Sequence, residues 1–146
     1  MPPLDDLIVA SVTHPDGIVV LSISGQIDVT TESTFETVTE TVLAEEPTGM
    51  IIDLSAVDFL GSAGLRVLAV TQERLALFAV VANSPVIIKP IQLTGFDQIL
   101  RLSPTVEGAL AALRDRLKPT AIEPPVISLD DGDGTASDIT SSVPEQ

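Results

Sequence analysis

Cysteine, tryptophan and tyrosine are absent from this chain of 146 residues, and histidine occurs once, at position 14. The absence of cysteine excludes disulfides and thiolate metal sites. We interpret His14 as a solvent-exposed turn residue, because it lies in a His-Pro-Asp-Gly turn between two apolar runs. The sequence also lacks the G-x-x-x-x-G-K-[ST] and G-x-G-x-x-G motifs of nucleotide-binding proteins. We therefore predict a protein that is not an enzyme and that holds no cofactor.

Basic residues are scarce as well. The chain has seven Lys and Arg and 21 Asp and Glu, which gives a net charge of −14. No basic residue precedes Arg66. Such a negative field disfavours nucleic acid and anionic membranes and favours a basic partner surface, although acids also simply keep proteins in solution. The longest apolar run, residues 75–82, is far shorter than the roughly 20 residues that a membrane span needs, and the acidic start is unlike a signal peptide. We expect a cytoplasmic protein without membrane insertion.

Strand and helix patterns alternate along the chain. Two β-branched runs, residues 7–12 and 18–24, flank the His14 turn and predict an antiparallel pair. The patterns that follow alternate between helix and buried strand, which predicts an α/β fold: a single layer of about five strands, mostly parallel with the first antiparallel, and about four helices. The predicted later elements are a helix around residues 32–44, a strand at 50–54, a helix from 62 to about 75, a strand at 77–82, a helix opened by Ser84-Pro85, a short strand at 99–102 and a helix opened by Ser103-Pro104. Because Pro90 removes a helical hydrogen bond, we expect a kink or an early end near Lys89.

The chain is organised around the stretch from residue 49 to residue 68. An apolar strand at residues 50–54 contains Asp53 near its end, residues 55–62 form a predicted loop, and helix-spaced leucines follow. Ser62 stands immediately before the predicted helix, where a serine hydroxyl can cap a free backbone N–H. An oxyanion at this serine would also be stabilised by the helix N-terminus.

The spacing in this stretch has a family resemblance. The residues read Asp53-Leu54-Ser55-x-Val57-x-Phe59-x-x-Ser62-x-Gly64-Leu65, which resembles the phosphoacceptor segment of STAS domains, in particular bacterial anti-sigma factor antagonists. Two further segments resemble the same family, Gly25-Gln26-Ile27-Asp28 and Leu93-Thr94-Gly95-Phe96-Asp97. The resemblance covers roughly residues 7–117. Gly61 is a departure, because family members that are phosphorylated usually carry an aspartate directly before the serine.

The resemblance implies a function and a set of site residues. It implies an anti-sigma factor antagonist that binds a kinase-type anti-sigma factor, frees a sigma factor, and is switched off by phosphorylation of Ser62. The alternative is an accessory subunit of a membrane transporter complex without a phosphoswitch, in which Ser62 is an interaction or capping residue. The oligomeric state, monomer or weak dimer, stays open. The partner-binding residues that the resemblance implies are Asp28, Asp58, Gly61, Ser62, Ala63 and Arg66.

The sequence gives little support to two other hypotheses, a catalytic serine and a divalent cation site. The segment around Ser62 lacks the first glycine of the G-x-S-x-G nucleophile elbow, and His14 is a poor partner for a catalytic serine. Asp28, Asp53 and Asp58 could converge at strand ends around a divalent cation, but no further ligands stand at a known spacing, and we assign no metal.

The last part of the chain differs from the rest in composition. Residues 119–146 contain six acids, no basic residue and few large apolar side chains. Such a segment buries too little apolar surface to offset the entropy of ordering. We therefore predict a STAS-like domain over residues 1–118 and a disordered acidic tail over residues 119–146.

Overall fold

The computed structural model describes residues 7–117, and within them strands and helices alternate. None of the helices in this part of the chain has the length and apolar character needed to cross a membrane. The elements in chain order are β1 (Ile8–Thr13), β2 (Ile18–Ile27), α1 (Glu32–Ala44), β3 (Gly49–Leu60), α2 (Ser62–Arg74), β4 (Phe78–Val81), α3 (Pro85–Leu93), a 3₁₀ turn (Phe96–Gln98), β5 (Leu102–Ser103) and α4 (Val106–Leu117).

The five strands form one sheet in the order β1-β2-β3-β4-β5. β1 pairs with β2 in antiparallel orientation, and every other neighbouring pair is parallel. Each parallel pair is therefore joined by a crossover helix, which right-handed connections place on the same face of the sheet. The predicted fold class, a mostly parallel sheet of five strands with an antiparallel first strand and four helices, is confirmed.

The central strands β2, β3 and β4 are buried on both faces, but unequally. The larger apolar cluster packs one face of the strands against α1, α2 and α3, with Phe35, Leu68 and Ile87 fully buried. The smaller cluster joins the opposite face to α4 through Ala109 and Leu113. Strands buried on both faces explain the continuous apolar runs in the sequence.

The predicted loop at residues 55–62 is wrong, because β3 continues as a strand to Leu60. β2 also runs on to Ile27, and its backbone supplies partners for the extension of β3. The register shifts twice, between Ser22 and Ser24 and between Gly25 and Gln26, and each shift places one additional β3 residue opposite β2. Such bulges break the two-residue alternation of side chains, so the extended segment has the sequence pattern of a loop.

The end of α3, near Pro90, and the start of α4, near Ser103, also differ from the prediction. α3 continues past Pro90 to Leu93, so an early end near Lys89 is wrong. The fully buried Ile87 and Ile91 hold the helix to the sheet on either side of Pro90, which outweighs the bond lost at its missing N–H.

The predicted glycine end of α3 is confirmed by Gly95, at φ 80°. The last strand lies at Leu102–Ser103 rather than residues 99–102, and α4 begins at Val106, where Thr105 Oγ1 accepts a hydrogen bond from Gly108 N–H at 3.0 Å. The predicted boundary at Lys118 and the predicted tail at 119–146 lie outside the described residues.

Candidate functional site

The candidate site is built where β2 and β3 end side by side. Ile27 pairs with Leu60, the last residue of β3. Gly61 N–H then donates a hydrogen bond of 2.8 Å to the Ile27 carbonyl, so a single residue joins β3 to α2. This link places the first turn of α2 beside the loop that leaves β2. The carboxyl ends of parallel strands are the usual location of ligand surfaces in α/β sheets.

Ser62 is exposed on the first turn of α2, but it is not the N-cap, and that prediction is wrong. Gly61 occupies the cap position, and its carbonyl accepts the first helical bond from Leu65 N–H at 3.1 Å. The cap moves because β3 extends to Leu60 and leaves one residue before the helix. Within residues 7–117 the Ser62 hydroxyl has no hydrogen-bond partner, and it lies beside the free N–H groups of a helix N-terminus.

A close approach of α2 to the strand ends fixes the position of Ser62. Gly64 is buried, and a Cβ added to it would lie 2.7 Å from Ile27 Cγ2 and 2.7 Å from Leu60 Cδ1. Real Cβ contacts are essentially never below 3.0 Å, so any larger residue at position 64 would force the buried side chains of Ile27 and Leu60 to move. The Gly64-Leu65 pair of the sequence motif therefore sets the backbone geometry behind the serine.

Asp28 organises the loop between β2 and α1. Its carboxylate accepts hydrogen bonds from Thr30 Oγ1 at 2.7 Å and from Thr30 N–H at 2.9 Å. Thr31 Oγ1 accepts from Asp28 N–H at 3.0 Å and donates to the Gln26 carbonyl at 2.6 Å. The side-chain hydrogen bond from Thr30, followed by its backbone hydrogen bond, lowers the pKa of Asp28 below its ordinary value of 3.8. The carboxylate is thus held charged and oriented.

A shallow pocket brings the two parts of the site together. Four of the predicted partner-binding residues line it: Asp28, Gly61, Ser62 and Ala63. Ile27, Val29 and Phe59 complete the lining. Val29 is 85% exposed and Phe59 is 49% exposed, so two large apolar side chains face solvent beside the serine.

Sequence reasoning did not assign Val29 and Phe59 to the site. The sequence did contain a signal for both residues: Phe59 is an apolar residue inside the predicted loop at residues 55–62, and Val29 is an apolar residue between the predicted strand at 18–24 and the predicted helix at 32–44. Exposed apolar residues of this kind mark interaction surfaces when they cluster.

Arg66 and Asp58 do not line this pocket. Arg66 lies one turn after Ser62 and contributes to a neighbouring groove between α1 and α2, which Ala63 also lines. The α1 wall of this groove carries Glu32, Glu36 and Glu40, and Glu40 pairs with Arg74 at 2.6 Å. Asp58 is exposed on β3. The structure therefore extends the candidate surface from the serine pocket towards Arg66 and adds acids of α1.

The hypothetical cation site at Asp28, Asp53 and Asp58 does not form. Asp53 Oδ1 accepts a hydrogen bond from Ser55 N–H at 3.0 Å. In the described part of the chain, no three His, Asp or Glu residues come together as potential metal ligands.

Comparison with known proteins supports the resemblance found in the sequence. The family model described as "STAS domain" matches residues 10–109, which is more than half of the chain. The chain belongs to the STAS domain family. Its phosphoacceptor-like segment, the Asp28 loop and the glycine at the end of α3 all fall within the matched residues.

The relatives of this STAS domain include named antagonists. "Anti-sigma-F factor antagonist RsfB" of Mycobacterium tuberculosis is 44% identical over 112 residues, which cover 75% of this chain and 92% of the relative. The crystal structure of an anti-sigma factor antagonist from Mycobacterium paratuberculosis is 43% identical, with a TM-score of 0.73, covering 79% of this chain and 100% of that one. The structure of the unphosphorylated anti-sigma factor antagonist SpoIIAA, at 18% identity, TM-score 0.62, and coverage of 74% and 97%, shares the fold.

Proposed function

We propose that this STAS domain is an anti-sigma factor antagonist, a cytoplasmic and non-catalytic protein that binds a kinase-type anti-sigma factor and so frees a sigma factor. The observation that carries the proposal is the position of Ser62, exposed beside the Asp28 loop with Val29 and Phe59 around it. A chain 44% identical to a protein named anti-sigma-F factor antagonist presents this surface, which supports the same class of partner.

The partner-binding surface in this proposal is centred on the serine pocket and includes Asp58 and Arg66 at its margins. Phe59 and Val29 supply exposed apolar surface beside the serine, and burying it against a partner stabilises the complex. The Asp28 carboxylate, oriented by its bonds to Thr30, accepts a basic group of the partner. The net charge of −14 adds long-range attraction to a basic surface and speeds association.

Phosphorylation of Ser62 is the switch. The hydroxyl is exposed and has no partner among residues 7–117, so a kinase can reach it without breaking a cap. A phosphate adds about −1.5 to −2 charges beside the helix N-terminus, which the isolated domain tolerates. A docked partner that removes water from the pocket meets an unpaired charge there, and the complex dissociates.

Capture of the partner tests the proposal. The full chain and its Ser62→Glu variant serve as matched baits in lysate of the source organism, with bound proteins identified by mass spectrometry. We expect the parent chain to retain an anti-sigma factor with a kinase domain and the variant to lose it. Recovery of a transporter ATPase by both baits would support the transporter alternative.

Phosphorylation needs a separate experiment with the purified kinase and ATP. We expect one phosphate on the parent chain, located at Ser62 by peptide mapping, and none on Ser62→Ala. Ser33 is the internal control, because it is also exposed on the first turn of a helix, α1, and it should stay unmodified. Modification of Ser33 with an unmodified Ser62 would refute the assignment.

A further inference from the structure

The first strand leaves one edge of the sheet open. β1 pairs only with β2, and within residues 7–117 no segment pairs with its outer edge. Natural proteins protect such edges with charged residues, proline or bulges. The sequence of β1, Ile-Val-Ala-Ser-Val-Thr, has no charged residue and no proline, and its pairing with β2 has no register shift. This edge can therefore accept another strand.

One face of β1 is apolar and exposed. Ile8, Ala10 and Val12 alternate along the strand and share a face, and Ile8 is 70% and Val12 56% exposed. Val12 pairs with Val20, which belongs to the cluster that packs against α4, so these side chains lie on the α4 side of the sheet. Ile8 and Val12 stay exposed although α4 packs on this side of the sheet. A neighbouring strand would bury them.

The hydrogen-bond pattern of β1 determines which registers are open to a new strand. His14 N–H donates to the Ile18 carbonyl at 2.9 Å, which fixes the alternation of the antiparallel ladder. Even-numbered residues of β1 direct their backbone groups at β2, and odd-numbered residues, such as Val9 and Ser11, direct theirs outward. An added antiparallel strand must bond to the odd-numbered residues.

We propose that two copies of the chain associate by antiparallel pairing of β1 with β1 about a two-fold axis at Ala10. In this register Val9 of one copy exchanges backbone hydrogen bonds with Ser11 of the other, as the outward direction of their groups requires. Ile8 then lies opposite Val12, so the exposed apolar residues of both copies form one continuous face, with the small Ala10 side chains at its centre. The surface is self-complementary, as a two-fold interface must be.

Charge limits the strength of this association. Each copy carries −14, so two copies repel each other, and the repulsion falls as salt shortens the screening length to about 10 Å at 0.1 M. The strand offers six residues, which is a small interface. We therefore expect a weak dimer that strengthens with both protein concentration and salt, the opposite of the salt response of a dimer held by ion pairs.

Cysteine cross-linking tests the register, and the absence of native cysteine makes single-site variants unambiguous. At the axis, Ala10→Cys places two residues in a non-hydrogen-bonded pair with Cα atoms about 4.5 Å apart, within the disulfide range. Val12→Cys places the two cysteines four residues apart along the strands, about 13 Å, which is too far to link. We expect at least tenfold faster disulfide formation by Ala10→Cys than by Val12→Cys or by Thr37→Cys, an exposed control on α1.

Three outcomes would overturn the proposal. Equal rates for Ala10→Cys and the Thr37→Cys control would show that β1 does not pair with itself, and fastest linking by Ser11→Cys would move the axis and refute the register. Sedimentation equilibrium of the cysteine-free parent chain gives an independent measurement. We expect a concentration-dependent dimer in high salt that Ala10→Lys abolishes without changing the unfolding midpoint by denaturant, and a strictly monomeric parent chain would refute the association.

Discussion

Substitutions at Ser62 separate a structural role of this serine from a regulatory one. The hydroxyl is exposed and makes no hydrogen bond with residues 7–117, so Ser62→Ala should change the free energy of unfolding by less than about 0.5 kcal/mol. Ser84 is the matched control, because it is the N-cap of α3 and its Oγ accepts a hydrogen bond from Val86 N–H at 3.3 Å. Ser84→Ala should cost about 1 kcal/mol.

A negative charge at the same position should affect binding and not folding. Ser62→Glu places a carboxylate on the first turn of α2, where the helix dipole favours it by about 0.3–1 kcal/mol. In the complex the charge loses water and has no partner, and we expect the affinity for the anti-sigma factor to fall about a hundredfold, or about 3 kcal/mol. Thr105→Asp adds a carboxylate where Thr105 caps α4, outside the proposed surface, and should leave affinity within about twofold.

Denaturant unfolding and calorimetric titration with the purified anti-sigma factor measure the two effects separately. If Ser62→Ala lowers the free energy of unfolding by about 1 kcal/mol or more, the serine stabilises the helix. That result would refute the statement that its hydroxyl makes no hydrogen bond with residues 7–117. Parental affinity in Ser62→Glu would place the interface elsewhere. Equal weakening by Ser62→Glu and Thr105→Asp would show a general charge effect rather than a local one.

Three further predictions concern the shell around the serine. Gly64→Ala should lower the free energy of unfolding by about 1–3 kcal/mol in denaturant titrations, because its Cβ would overlap two buried side chains. Thr30→Val should raise the pKa of Asp28 in a carboxyl NMR titration, because it removes a hydrogen bond to the carboxylate. In the parent chain the pKa of Asp28 is lower in the folded state than in the unfolded state. The stability contributed by Asp28 should therefore be present above pH 3.8 and be lost as the pH falls through the pKa of the folded state. Val29→Ser should weaken partner binding about tenfold by calorimetry, because burying a valine side chain contributes about 1.5 kcal/mol or more, whereas Val86→Ser, also exposed, should not.

The sequence predicts an element correctly where residues at its ends favour its start or its termination. Ser84 and Pro85 mark the start of α3, and Gly95, at positive φ, marks its end. The antiparallel start of the sheet follows from the turn at Gly17, which has φ 88°. These residues act through their own backbone preferences, so a single sequence is enough to interpret them.

The errors occur where a distant segment decides the structure. β3 extends to Leu60 only because β2, across a helical crossover, extends beside it, with two bulges in β3 that keep the strands paired. α3 continues past Pro90 because its own Ile87 and Ile91 are buried against the sheet. The local sequence shows neither β2 beside β3 nor the sheet beneath α3, and these tertiary contacts outweigh a loop or helix-end signal worth a few kcal/mol at most.

The extension of β3 also accounts for the properties of the serine. Because β3 ends at Leu60 and Gly61 alone connects it to α2, the cap position is filled by a glycine and Ser62 moves onto the first turn. Its hydroxyl is then released from capping, while the N–H groups of that turn stay available to an oxyanion. In the proposed function a phosphate at Ser62 is accommodated by the free domain without a change of fold. In this proposal the switch acts through the electrostatics of the interface, because the cost of the added charge arises only when a bound partner removes water from it.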